Sequence, residues 1–387
     1  MGISTTGLAG QRQHLLDEAA TMVGAGDFGD NAFVEGLDRF LASVDAEDRL
    51  SAMGRAATEA QVGLLLRTRL HAQAGFAARP DALARTIERP LIITGIVRSG
   101  TTALHRLLSI DPQFQCSEHW LTRAPMPRPP RSQWAANPHY CDATATLDGM
   151  IAAAPEMLND HMMSADAVEE SIFLLAPTFC NNMFPSQWHV PDYDAWYRET
   201  DETPSYRWLA DVLKLIGADT PDRRWLMKNP TDLHAIDAVL AVFPDALIVQ
   251  THRDPVQAIP SIANLLLAVR RLFEGDRADG HAIIEREAGF WADALAHTEA
   301  AKLREPGHFI DIEFGAFVKD QMGAVQSIYD GFGLILAPEV EANMRAWLDA
   351  HPRRSGAIKR HAAEDFGLGE GVLANLYADY RQSRGYA

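Results

Sequence analysis

The stretch Leu91-Ile-Ile-Thr-Gly-Ile-Val-Arg-Ser-Gly-Thr-Thr-Ala-Leu-His-Arg-Leu-Leu108 limits the possible folds more than any other. Leu91 to Thr94 is an apolar run of strand length that breaks at Gly95. From Gly100 onward, Leu104, Leu107 and Leu108 share one helical face. A buried strand that turns through a glycine-bounded loop into a helix opens a β-α unit. Repeated units of this kind build parallel sheets covered by helices on both faces. The turn itself is an anion site, because the first N–H groups of the helix have no intrahelical partner and point into the loop.

The alternation resumes after Pro221. Trp225 to Met227 reads as a short buried strand ending at Lys228-Asn229-Pro230, and Thr231 begins a helix bearing Leu233, Ile236, Val239, Leu240 and Phe243. Ala246 to Gln250 is a further strand, followed by Thr251-His-Arg-Asp-Pro255 and a long helix to about Phe273. His308 to Ile312 is another strand. The expected architecture is α/β, a P-loop-like three-layer sandwich around a central parallel sheet. One domain, 1–387, is expected, with 89–118 and 221–368 as its nucleotide-binding core. Ligands of such sheets lie past the carboxyl ends of the strands. Arg98, Lys228 and Arg253 all follow strands at that edge.

Residues 1–88 read as a helical N-terminal cap, with Leu15, Leu16, Ala19, Met22 and Val23 on one face and Phe33, Leu37, Phe40 and Leu41 on another. Packing explains them; a homodimer contact is a second use. From 119 to 150, Pro125, Pro127, Pro129 and Pro130 stand among Trp120, Trp134 and Tyr140, which predicts an extended arm or lid. Residues 151–220 turn helical again and are rich in Met and aromatics. Most of these belong to a core, and some suit an apolar acceptor pocket.

A formal charge of -17 speaks against nucleic-acid or anionic-membrane partners, so an anionic ligand needs local basic groups. Cys116, Cys141 and Cys180 have no metal-ligand spacing, and their odd number argues against a disulfide framework. No basic leader with an apolar core and no run of 18 apolar residues is visible, so the expected location is cytoplasmic, without a transmembrane span.

The loop Gly95-x4-Gly100-Thr101-Thr102 has both glycines and the last hydroxyl of the Walker A pattern G-x-x-x-x-G-K-[ST], but Thr101 stands where the Lys belongs. Arg98 supplies the charge from an earlier position. Such a loop holds a phosphate and lacks the γ-phosphate grip of an ATPase, which weakens a kinase-like phosphotransferase reading. A non-catalytic nucleotide-binding protein is the other alternative.

Arg98-Ser99-Gly100-Thr101-Thr102 resembles the 5′-phosphosulfate loop, P-[KR]-S-G-T-T, of sulfotransferases that use 3′-phosphoadenosine 5′-phosphosulfate (PAPS), with Val97 replacing the proline. Ala246 to Ser261 resembles that family's 3′-phosphate motif: Arg253 follows a buried strand and Ser261 lies eight residues on. A guanidinium offers a planar fork to phosphate oxygens, and a hydroxyl adds a donor. The likeness runs from about Leu91 to Leu368 and is closest to a bacterial branch with Arg in the loop. Arg353 to Gly367 is similar to that branch's basic loop ending in E-D-F-G; Arg360 matches its Arg and His361 replaces a Tyr. Phe314-Gly-Ala-Phe317 stands where Y-x-D-L is usual.

The resemblance implies transfer of a sulfuryl group from PAPS, without a metal, to a hydroxyl of a small-molecule, phenolic or lipid acceptor. It implies nucleotide contacts from Arg98, Ser99, Gly100, Thr101, Thr102, Arg253, Ser261 and Arg360. Arg98 and Lys228 would stabilise charge on the departing PAP. The attacking hydroxyl needs a base. Glu118-His119 follows the expected strand Phe114 to Cys116, where related tyrosyl-protein sulfotransferases carry an acidic pair. Glu118 is favoured, with His119 next. Asp160 to Glu170 resembles the branch's H-P-M-x-A-D-x-P-E-E segment, which turns His161 and Glu169 toward the acceptor; helix capping is the competing role.

Overall fold

Five short strands form one parallel sheet. The computed structural model describes residues 7–153, 164–352 and 361–386; His161 and Arg360 lie outside them. The strands are β1 (Leu91–Gly95), β2 (Phe114–Gln115), β3 (Arg224–Lys228), β4 (Leu247–His252) and β5 (Phe309–Glu313), in the order β2-β3-β1-β4-β5. Every residue of β1 and β4 is buried, as expected for central strands covered on both faces. The register pairs Ile93 with Lys228 and Gly95 with Thr251, so β1, β3 and β4 end at one edge.

The chain divides into two compact units. The first comprises Met1–Ile87, Gln115–Pro185 and His189–Arg223; the second comprises Glu88–Phe114, Ser186–Trp188 and Arg224–Ala387 and holds β1, β3, β4 and β5 with Phe114 of β2. In the second unit the helix after β1, Thr101–Leu108, buries Leu104, Leu107 and Leu108. The helix after β4, Pro255–Glu274, takes its first turn from Pro255 and an Asp254 cap on the Val256 amide. Pro255–Arg277 is long and apolar enough to cross a membrane by length and composition alone. Its buried Ile259, Ile262, Ala263 and Leu266 give that apolarity a packing role in this unit.

The first unit is helical. Arg12–Val23, Ala32–Glu47 and Ala52–Ala78 make its N-terminal part, and Thr203–Ile216 closes it. Arg69 is almost fully buried here, donating to the Phe28 carbonyl at 2.6 Å between the rings of Phe33 and Trp208, 4.4 and 4.5 Å from the guanidinium carbon. Phe184 stacks on Phe179 and meets the rings of Phe40 and Tyr193, so these aromatics serve as core.

Two expectations need correction. The 119–150 arm is extended only around its four prolines; His119–Arg123 and Pro138–Ala153 are α-helices and Arg131–Ala136 is a 3-10 helix. Pro138 opens its helix at the first position, where its missing N–H costs nothing. Thr231 does not begin an α-helix. Asn229 accepts from the Thr231 amide at 3.1 Å and tightens Pro230–Leu233 into a 3-10 turn, so the helix starts at Ile236.

Candidate active site

The loop after β1 owes its shape to close backbone approach. Gly95 has φ 143, and a Cβ there would lie 2.3 Å from the Thr251 carbonyl oxygen. Gly100, with φ 90, would place a Cβ 3.2 to 3.3 Å from the rings of Phe314 and Phe317. Gly95→Ala combines overpacking with a strained φ and is expected to lower unfolding stability by about 2–5 kcal/mol, read from urea denaturation. A loss below about 0.5 kcal/mol would mean that the loop is not held against β4.

Arg98 adopts φ 64, a left-handed conformation that costs a non-glycine residue roughly 1–2 kcal/mol. Its surroundings hold it there: the Arg98 carbonyl accepts from Arg253 Nη1 at 2.7 Å, and Arg98 Nε donates to Ser261 Oγ at 3.2 Å. Three residues from two distant segments are thus bonded in one cluster. Arg253 also stacks on Phe314, its guanidinium carbon 4.7 Å from the ring centre. Ser99 is fully buried; its hydroxyl donates to the Ile96 carbonyl at 2.5 Å and sits 2.6 Å from Thr251 Oγ1. That hydroxyl is used inside the loop, which leaves Ser99 a structural role there.

Lys228 stands at the end of β3, 1% exposed, with Nζ donating to Thr102 Oγ1 at 3.2 Å. A lysine from a neighbouring strand thus reaches the loop that lacks one of its own. Beside it His105 stays neutral: burial, then the Lys228 charge, push its pKa down to about 3. Burial likewise lowers His252, and burial with His139 and Arg67 takes His71 to about 4. The unfolded chain binds protons at these sites below about pH 6.5, whereas the folded chain resists them. The melting temperature should therefore hold above pH 7 and fall as pH drops from about 6.5 toward 4. A melting temperature flat across that window would contradict the buried neutral imidazoles.

Both neighbours of Arg253 are tied to the C-terminal helix Ala378–Arg384. Arg381 donates to both Asp254 oxygens at 3.0 and 3.3 Å, and His252 Nδ1 lies 2.8 Å from the Tyr380 hydroxyl. On its other side His252 Nε2 meets Asp311 at 3.0 Å. Asp311 is driven well below the carboxylate range: burial raises it, but bonds from His252 and Lys302 prevail. No spacing in the sequence announces this clamp, since its parts lie more than 120 residues apart.

The two candidate bases lie in the first unit and have different environments. Glu118 is half-buried, bonded to Arg128 Nε at 3.0 Å, and Arg128 also donates to the Cys116 carbonyl. Burial raises the Glu118 pKa and the Arg128 charge works against that. His119 instead pairs with Glu169, Nδ1 to Oε2 3.3 Å. Pairing of Glu118 with Val168, and the Glu169 amide donating to the Ser117 carbonyl at 2.8 Å, bring these distant segments together. His119 Nε2 is buried with no hydrogen-bond partner among the described residues. Sequence reasoning missed Arg128; it stands in the proline-rich run with nothing to mark it as the partner of Glu118. Among the described residues, no group of three or more His, Cys, Asp or Glu side chains is arranged to hold a metal.

A parallel sheet with a glycine loop after β1, reached by a lysine from the neighbouring strand, defines a P-loop-like α/β protein. Comparison with known proteins narrows the class. A profile described as "Sulfotransferase family" matches residues 90–338. The sulfotransferase STF1 of Mycobacterium tuberculosis H37Rv superposes with a TM-score of 0.86 at 31% identity, over 95% of this chain and 98% of that one. STF9 of Mycobacterium avium, with a TM-score of 0.90 at 24% identity over 99% and 98%, shares the fold. The omega-hydroxy-beta-dihydromenaquinone-9 sulfotransferases Stf3 of Mycobacterium bovis and Mycobacterium tuberculosis are 22% identical over 258 residues. This chain spans 63% of their length, and the match covers 63% of this chain. The chain belongs to the sulfotransferase family.

Proposed function

We propose that the protein transfers a sulfuryl group from PAPS to a hydroxyl of a small-molecule or lipid acceptor. The observation that carries this reading is the bonded cluster Arg253–Arg98–Ser261, with Arg253 at 2.7 Å and Ser261 at 3.2 Å from Arg98 atoms. It suits a nucleotide phosphorylated at both ends. The amides of Gly100, Thr101 and Thr102, with Lys228, take the 5′ end; Arg253 and Ser261 take the 3′-phosphate. Gly100 supports this reading by keeping the loop packed against the Phe314 and Phe317 rings, which a Cβ there would crowd.

PAPS supplies an activated sulfuryl group. The acceptor oxygen forms the new S–O bond as the bond from sulfur to the phosphate oxygen breaks. The acceptor proton passes to His119 Nε2, while Glu169 holds the other ring nitrogen and orients the ring. The electron pair of the broken bond remains on the PAP phosphate, where Lys228 and Arg98 stabilise it. His119 is preferred to Glu118 as the base because Glu118 is held in its ion pair with Arg128. For the acceptor, the name of the Stf3 relatives points to a hydroxyl on a largely apolar molecule.

A thermal-shift panel tests the donor. PAP should raise the melting temperature, and ATP, GTP and NAD at equal concentration should not. Transfer of labelled sulfate from PAPS to hydroxyl acceptors follows. Stabilisation by magnesium-ATP alone would favour a phosphotransferase. PAP binding with no transfer to any acceptor would leave a nucleotide-binding protein without catalysis.

A further inference from the structure

The first unit contains a second concentration of positive charge, made from residues that the nucleotide reading does not use. A pocket of about 70 Å³ is lined by Arg67, His71, Arg123, His139 and Asp142. Leu64 and Ala124 complete its wall. Arg67 and His71 lie one turn apart on the Ala52–Ala78 helix, and His139 and Asp142 one turn apart on the Pro138–Ala153 helix. Arg123 ends the short helix between them in sequence. The rings of His71 and His139 meet edge to face at 4.8 Å.

The guanidiniums are poorly satisfied. Each offers five N–H donors. Among the described residues, Arg67 donates to the thioether of Met22 at 3.6 Å. Arg123 reaches Asp142 at 3.8 Å, beyond hydrogen-bond range, and that carboxylate is 73% exposed. Glu18, exposed on the neighbouring helix, is the other carboxylate acting on Arg67. Burial pulls both Arg67 and Arg123 below the usual arginine range, against the opposing pull of Asp142 on each and of Glu18 on Arg67.

We propose that this pocket binds a small oxyanion, such as sulfate, phosphate or the monoester end of a larger molecule. Two guanidiniums and two imidazoles line this one small cavity, and a guanidinium's planar fork suits the oxygens of such a group. The volume is several times the roughly 10–15 Å³ that one water needs and too small for a nucleotide. All lining residues belong to the first unit, whereas Arg98, Lys228 and Arg253 belong to the second, so this site stands or falls apart from the PAPS reading.

The ring resonances of His71 and His139, followed by NMR in the full chain with labelled histidine, report on the pocket directly. Sulfate, phosphate and glycerol 3-phosphate are titrated at ionic strength fixed with chloride. Saturable shifts of both rings at millimolar anion are expected. Arg123→Gln or Arg67→Gln should weaken binding about 10–100-fold, the loss of one charged hydrogen bond or more. Arg253→Ala should leave it unchanged. If only the inorganic ions saturate, the ligand is a free anion; if the monoester binds as well, it is the end of a larger molecule. Shifts that stay linear in the wild-type protein, or saturate equally in both arginine variants, overturn the proposal.

Discussion

Changing His119 to Gln lowers kcat by about 10²–10⁴-fold, the usual contribution of a positioned base. PAP affinity stays within about twofold, since the lost interaction serves only the transition state. Gln keeps a donor for Glu169 but has no nitrogen able to take a proton. Glu118→Gln should behave differently. It removes the charged partner of Arg128 from a site where the Glu118 side chain is 14% exposed. Breaking a buried pair costs about 3–5 kcal/mol of stability, so this variant should melt early and, while folded, retain most of its turnover. The opposite pattern, a folded Glu118→Gln without turnover and an active His119→Gln, would move the base to Glu118.

Lys228→Met should reduce kcat by about 10²–10³-fold and weaken PAP binding far less. Methionine fills much of the lysine stem's volume, so the core around β3 keeps its packing. What disappears is the ammonium that donates to Thr102 Oγ1 at 3.2 Å, which in the proposed reaction meets the charge that develops as PAP departs. The ground-state nucleotide retains the loop amides and Arg253. If the variant loses nucleotide binding but turns over normally at saturation, Lys228 is a binding residue and not a catalytic one.

The sheet was legible because its strands are apolar runs bounded by Gly, Pro and Asp; expected ends fall within about two residues of those observed for β1, β3, β4 and β5. The Arg98, Lys228 and Arg253 positions were legible because each follows a strand at the same edge. Long-range pairing was not. Nothing local tells that Glu169 bonds to His119, fifty residues away. Nor does it tell that Arg128 claims Glu118, which changes the preference between the two bases. The prolines misled for a related reason. Pro138 is harmless at a helix start and disruptive in its interior, and composition alone does not distinguish the two.

In the proposed function Arg253 and Ser261 read the 3′-phosphate of a nucleotide whose other end lies in the Gly95–Gly100 loop. Calorimetry with PAP and with 5′-AMP, on wild-type protein and Arg253→Ala, tests it most directly. Binding of PAP about 10–100-fold tighter than 5′-AMP is expected for the wild type, and a ratio near one in the variant, whatever the loss of the Arg253 bond to the Arg98 carbonyl does to both affinities alike. A PAP preference that survives in Arg253→Ala would contradict it.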